Sequence, residues 1–247
     1  YLLTLYCVIR GDQSQRPLAW YACSVAACLL GMATKEIMVT APLVVLLYDD
    51  LFLSDSLGEA LRKRWGLYLG LAATWGLLIH LVRSTQLAER REELGAPDMW
   101  SYFWTQPGVI LHYLRMCFWP YPLCLDAEWP VAKTAIAIAP ATLVIGSLGI
   151  LTLWGLWRRK EWAFLGAAFF LILAPTSSFL PLGQTMFEHR MYLPLAAVVV
   201  LVIVAGCLVG DWLVRRRSVE SSLLKPLGIG AVFLASIILG SLTYARN

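Results

Sequence analysis

The chain has 247 residues, 59% of them hydrophobic and 15% charged, with a net charge of +4. Soluble domains average about 45–50% apolar and about 25% charged residues, so these proportions, with a mean hydropathy of +0.67, exclude an ordinary soluble domain and point to a membrane protein. The small, scattered positive excess is not that of a nucleic-acid-binding surface, and no nucleic-acid partner is expected.

Apolar runs in chain order predict eight membrane spans: 1–9 (partial), 18–32, 37–53, 66–82, 135–157, 162–175, 193–214 and 227–242. The chain opens inside such a run, with neither Met nor a signal peptide, and reads as the interior of a longer protein. Between the fourth and fifth spans, residues 105–124 are apolar but carry Pro107, Pro120 and Pro122. That pattern predicts an interfacial or re-entrant helix packed against protein. Its Trp104, Tyr113, Trp119 and Tyr121 suit the headgroup level.

The arms 18–32 and 37–53 form a short hairpin. About 15 residues at 1.5 Å each reach roughly 22 Å, less than the roughly 30 Å hydrocarbon core. Lys35 and Glu36 at its tip are therefore expected below the outer surface, in a cavity; an ordinary exposed turn is the plainer alternative. Basic clusters at Arg62-Lys63-Arg64, Arg158-Arg159-Lys160 and Arg215-Arg216-Arg217, with Arg10 and Arg16, all fall on one side if 105–124 does not cross. The positive-inside rule makes that side cytoplasmic. The opposite face then carries Lys35-Glu36, the loop with Arg90 and Arg91, Asp126 and Glu128, and Glu188-His189-Arg190-Met191-Tyr192.

Ionisable side chains at a membrane boundary are costly and usually bind something. Arginine pairs bidentately with phosphate, lysine is a compact charge, and a carboxylate can accept a proton from a hydroxyl. Convergence of these outer clusters would suit a lipid-linked phosphate and a hydroxyl acceptor. An ion pair tying loops together is the plainer reading of Glu188 and Arg190. Asp49-Asp50 falls at the cytoplasmic end of a span, where interfacial solvation or capping is expected. His80 and His112 read as packing residues. The six cysteines, Cys7, Cys23, Cys28, Cys117, Cys124 and Cys207, contain no C-x-x-C pair and read mostly as buried free thiols. No spacing suggests a metal site, no glycine-rich phosphate loop occurs, and no cofactor is expected.

Several segments resemble a known family. Ala33-Thr34-Lys35-Glu36, Val39-Thr40-Ala41-Pro42-Leu43 and Leu46-Leu47-Tyr48-Asp49 resemble one of its segments. Leu125-Asp126-Ala127-Glu128-Trp129-Pro130-Val131 resembles another, and Glu188-His189-Arg190-Met191-Tyr192-Leu193-Pro194 a third. Thr243-Tyr244-Ala245-Arg246-Asn247 resembles the opening of a linker to tetratricopeptide repeats. The family is that of the transmembrane and tetratricopeptide-repeat O-mannosyltransferases and their bacterial relatives, in the GT-C glycosyltransferase superfamily.

The resemblance implies an all-α, polytopic GT-C-like bundle of about eight spans plus one interfacial or re-entrant helix. It implies a bacterial cytoplasmic membrane with the active face extracytoplasmic. The expected reaction moves a mannose-like hexose from a polyprenyl-phosphate carrier to a hydroxyl, commonly a protein Ser or Thr. It also implies an acidic base upstream of residue 1 and repeats downstream of residue 247, so that 1–247 is part of the membrane domain and inactive alone.

From charge and geometry, Lys35 and Arg190 are expected to hold the donor phosphate, with His189 and Arg91 in the same donor-binding group. Glu36 or Glu188 would orient a cation or the acceptor, Tyr192 would stack on the sugar, and Asp126 and Glu128 would support the site. A lipid-linked glycan polymerase or ligase, and a non-enzymatic transporter or anchor, are the competing readings. The first calls for a longer outer loop, the second for ionisable residues at mid-bilayer depth and an internal repeat.

Overall fold

A computed structural model describes residues 1–84, 98–119, 129–132, 134–177, 185–217 and 221–246. Every described element is helical. Ten α-helices follow in order: α1 Leu2–Asp12, α2 Pro17–Met32, α3 Ala41–Tyr48, α4 Leu57–Lys63, α5 Trp65–Ser84, α6 Met99–Phe118, α7 Ala135–Trp157, α8 Glu161–Leu173, α9 Pro194–Arg217 and α10 Ser221–Arg246. Short 3-10 turns span Glu36–Thr40 and Glu188–Met191, and a π-helical turn spans Asp49–Leu53.

Among the described residues two helices, over Ala135–Trp157 and Pro194–Trp212, are long and apolar enough to cross a membrane. A third candidate is the bent pair Glu36–Leu53 and Leu57–Lys63, which turns by 108°. The 23 residues of α7 reach about 34 Å. Its Ile136, Leu143, Ile150 and Leu153 face outward, as a lipid-facing helix requires. The expected run 37–53 is not one helix but a 3-10 turn, α3 and a π-helical turn in succession.

The chain divides into two compact units, Tyr1–Val198 and Val199–Asn247. The second contains most of α9 and all of α10, with outward apolar side chains such as Ile203, Phe233 and Ile237.

Local chemistry sets the helix boundaries in the first unit. Pro17 opens α2, where its missing N–H is no loss. Ser56 caps α4 by accepting from Glu59 N–H at 3.2 Å, while the Glu59 carboxylate accepts from Asp55 N–H at 3.1 Å. Asp98 caps α6 through Ser101 N–H at 3.0 Å. Helix α6 runs through Pro107 and ends at Phe118. Between α7 and α8, Lys160 N–H bonds the Gly155 carbonyl at 2.8 Å and Arg159 N–H the Leu156 carbonyl at 2.9 Å. This is a Schellman turn, with Arg159 at φ 49° where glycine is usual. A β-carbon on Gly155 would lie 2.6 Å from Trp162, and one on Gly166 would lie 2.5 Å from Thr152. These two glycines therefore let α7 and α8 approach closely.

The largest departure from expectation is at Asp49. Its side chain is fully buried, neither solvated nor a cap. Arg64, itself 1% exposed, pairs with Asp49 at 2.7 Å and also with Asp12 at the end of α1. Tyr68 Oη donates to the second Asp49 oxygen at 2.5 Å, Ser54 Oγ to the first at 2.7 Å, and Arg64 Nε to Tyr21 Oη at 3.1 Å. The π-helical turn lets consecutive carboxylates diverge: Asp49 meets Arg64, and Asp50 meets Arg159 at 3.1 Å. Arg159 also donates to the Ser54 carbonyl at 3.0 Å.

These contacts gather the end of α1, the start of α2, the α4–α5 junction and the α7–α8 turn at one end of the unit. The basic clusters of those segments therefore lie at that end of the unit.

Two thiols behave as expected and two do not: Cys7 and Cys28 are buried, whereas Cys23 and Cys207 are exposed and Cys117 is intermediate. Cys124 lies outside the described residues. His80 is exposed rather than packed.

Removing one member of a buried charge pair leaves the other uncompensated, at a cost of about 3–5 kcal/mol. Arg64→Met is expected to lower unfolding stability by that order in detergent titration. Arg159→Gln, at a 42% exposed side chain, is expected to cost under about 1 kcal/mol.

Candidate functional site

The other end of the first unit carries Lys35, Glu36 and the Glu188–Met191 turn. Helix α2 runs from Pro17 beside the ion cluster to Met32, and 16 residues cover about 24 Å. The backbone then turns through Lys35 into the Glu36–Thr40 3-10 turn. Trp75 Nε1 donates to the Val39 carbonyl at 2.9 Å, and the Tyr1 and Thr40 hydroxyls share a hydrogen bond at 3.1 Å. These ties hold the turn while Lys35 and Glu36 themselves stay exposed.

The Glu188–Met191 turn is stapled to α6. Tyr102, Gln106, Val109 and Tyr113 recur at helical spacing along one face of α6, and all four are buried. Tyr102 Oη donates to the Thr176 carbonyl at 2.6 Å. Gln106 Nε2 donates to the Thr185 carbonyl at 3.4 Å. Tyr113 Oη donates to the Phe187 carbonyl at 2.7 Å and accepts from Phe187 N–H at 3.0 Å. Tyr113 therefore faces the interior, not the headgroups as expected. Beneath the turn, Met186 and Met191 join Val109, Ile110, Phe169 and Leu173 in one apolar cluster.

Arg190 is 4% exposed. Its Nη1 donates to Tyr102 Oη at 3.0 Å and to the Thr176 carbonyl at 3.1 Å, and its guanidinium lies 5.1 Å from the Phe187 ring centre. His189 and Tyr192 point outward, Tyr192 being 86% exposed. Glu188, His189 and Tyr192 line a cavity of about 360 Å³ with Tyr113, Met116, Cys117, Met191 and Leu195. Glu188 also lies within electrostatic reach of His112, whose ring packs 4.9 Å from Trp129.

Two clusters far apart in sequence meet here. Burial lowers the His189 pKa below the usual histidine value; Lys35 and Arg190 push it the same way, and Glu36 opposes them. Lys35 and Glu36 therefore lie within electrostatic reach of His189. Packing agrees: Ile37 and Leu193 join one small apolar cluster around Val44, Ala168 and Ile172.

The third expected cluster, Asp126 and Glu128, lies outside the described residues, as does Arg91. Among the described residues no group of three metal-ligating side chains occurs. A second cavity of about 490 Å³, lined by Trp104, Ala135, Ile138, Ala139, Thr142 and Leu143, is almost wholly apolar and holds no ionisable group.

Sequence reasoning missed the α6 face. Its signal was the Tyr102–Gln106–Val109–Tyr113 spacing, which the prolines of 105–124 overshadowed. Comparison with protein-family models, with curated proteins and with solved structures finds no match.

The charge arrangement has a sign that can be measured. His189 stays neutral to a lower pH than a free histidine because burial disfavours its cation, which would also form beside Lys35 and Arg190. Lys35→Gln is expected to raise the His189 pKa and Glu36→Gln to lower it, read from ¹³C-imidazole NMR with a His189→Gln spectrum for assignment. Tyr113→Phe would leave both backbone groups of Phe187 without this partner, at a cost of about 1–3 kcal/mol, visible as faster amide exchange over residues 187–191.

Proposed function

We propose that this chain is part of the membrane domain of a glycosyltransferase. It would move a hexose from a polyprenyl-phosphate carrier to a hydroxyl acceptor, such as a protein Ser or Thr, on the extracytoplasmic face. The proposed architecture is a GT-C-like bundle of about eight spans, with the main catalytic base outside this chain. The observation that carries the reading is the meeting of Lys35-Glu36 with Glu188-His189-Arg190 at the end opposite the Asp49–Arg64 pair. The motif resemblance at Lys35-Glu36, Asp126-Ala127-Glu128 and Glu188–Pro194 adds to it.

In this reading the exposed Lys35 ammonium meets the donor phosphate directly and His189 lies beside it. Arg190 supplies positive charge from beneath, while its bonds to Tyr102 and Thr176 keep the turn in place. Such fixed charges stabilise the phosphate as the glycosidic bond breaks and negative charge grows on the leaving group. The new bond forms from the acceptor oxygen to the anomeric carbon, and the acceptor proton passes to a carboxylate base. Glu36 and Glu188 balance the cations and orient the acceptor. Tyr192 offers an aromatic face to the sugar, and the apolar wall of the 360 Å³ cavity suits the first part of the lipid chain.

Lys35→Gln in the full-length protein is expected to lower transfer by at least about 100-fold, the scale of losing one electrostatic stabiliser, while membrane insertion and the Tm stay near the parent values. Unchanged transfer would remove the proposed phosphate site. Donor binding is expected to tighten as pH falls through the His189 pKa, because protonation adds a cation there. Binding that weakens over that range would contradict the arrangement.

A further inference from the structure

The opposite end of the first unit carries a surface that the proposed reaction does not use. Besides the paired Arg159, six cations stand exposed there: Arg10 and Arg16 beside the α1–α2 turn, Arg62 and Lys63 at the end of α4, and Arg158 and Lys160 between α7 and α8. The ion pairs bring these segments together. The same pairs also occupy three of the local acids, because Asp12 and Asp49 share Arg64 and Asp50 pairs with Arg159. Among the described residues at this end, Asp55, Glu59, Glu161 and the net −1 of the Arg64 group offset these six cations only in part.

Indole rings stand among these cations. The Arg10 guanidinium lies 5.8 Å from the Trp20 ring centre. Arg158 lies 5.9 and 5.5 Å from those of Trp154 and Trp157. Trp157, 79% exposed, ends the apolar helix Ala135–Trp157, and Trp65, 68% exposed, follows Lys63 and Arg64. Tryptophan settles where hydrocarbon gives way to headgroups, and basic side chains at that depth meet lipid phosphates.

We propose that this end of the unit is a binding surface for anionic phospholipid headgroups, with Arg62, Lys63, Arg158 and Lys160 as its principal contacts. Asp49, fully buried against Arg64, and Asp50, paired with Arg159, are drawn away from the lipid, whereas the neighbouring cations stay exposed to it. Arg159 holds the Arg158–Lys160 turn against Asp50 and Ser54, so the two cations flanking it project from a fixed turn. This inference does not depend on the glycosyltransferase reading.

The test is lipid selectivity in reconstituted vesicles. The chain is placed in phosphatidylcholine bilayers containing spin-labelled phosphatidylglycerol or spin-labelled phosphatidylcholine, and the motionally restricted fraction of each is measured by electron paramagnetic resonance. The parent is expected to favour phosphatidylglycerol several-fold at low salt, and less as salt screens the charges. One basic residue near an anionic surface is worth about a fivefold factor, so Arg62→Gln/Lys63→Gln/Arg158→Gln/Lys160→Gln is expected to bring the ratio close to one. Arg64 and Arg159 are untouched in that variant. If it does not fold, Arg158→Gln and Lys160→Gln, both on the exposed turn, are each expected to lower the preference.

Equal association of the two lipids with the parent overturns the proposal, as does a preference that survives these substitutions. A preference abolished by Lys35→Gln instead would place anionic-lipid binding at the other end and also overturn it. Displacement of the lipid by millimolar inorganic phosphate would mean a site for free phosphate, not a headgroup surface.

Discussion

Arg64 holds two carboxylates from different parts of the chain, Asp12 and Asp49, and its own side chain is 1% exposed. Burying charge is tolerable only when geometry and hydrogen bonding compensate the lost hydration. Here Tyr68 and Ser54 take up Asp49 while Tyr21 accepts from Arg64. The requirement fixes where α1, the π-helical turn and the α4–α5 junction meet. It also places Asp50 against Arg159, which draws in the α7–α8 turn. Arg159 adopts a left-handed backbone that costs roughly 1–2 kcal/mol for an L-residue; its bonds to Asp50 and Ser54 offset that cost, whereas a glycine there would relieve it without making them.

With one end anchored this way, the helices deliver a different set of side chains to the other. Helix α2 leads to Lys35 and Glu36, and α8 leads to Thr176. Helix α6 then uses two tyrosine hydroxyls and an amide to hold backbone carbonyls of Thr176, Thr185 and Phe187. The division of labour within the Glu188–Met191 turn follows from burial. Arg190 faces inward and is bound to Tyr102 and Thr176, whereas His189 faces outward toward Lys35 and Glu36. A charged cluster that looks uniform in sequence thus separates into a residue that shapes the turn and residues that face outward from it.

Hydropathy made an all-helical chain with membrane-length apolar helices legible, and the segments of Arg10, Arg62 and Arg158 lie at one end of the first unit. Span boundaries were legible only in part. An apolar run such as 37–53 does not reveal that its backbone passes through 3-10, α and π geometry, because composition is similar in all three. Among the described residues, two helices, or three with the bent pair, have the length and hydropathy expected of a crossing, against the eight spans expected.

Lys35, Glu36, Glu188, His189 and Arg190 stand out in the sequence as candidates because charge at a membrane boundary is costly. Their mutual approach does not, since nothing local encodes contact across about 150 residues of sequence. Asp49 was misread for a related reason: a carboxylate at a span end looks solvated until its partner is known, and Arg64 is 15 residues away.

The central claim is that Lys35 and His189 share one face of the membrane and that the Arg158–Lys160 turn lies on the other. Single cysteines at Lys35, His189 and Lys160, in a cysteine-free background, can be labelled in sealed membranes with an impermeant maleimide. The account predicts labelling at 35 and 189 from the extracytoplasmic side and at 160 only after the cytoplasmic side is opened. Labelling of 35 and 189 from opposite sides, or of all three from the same side, would contradict it.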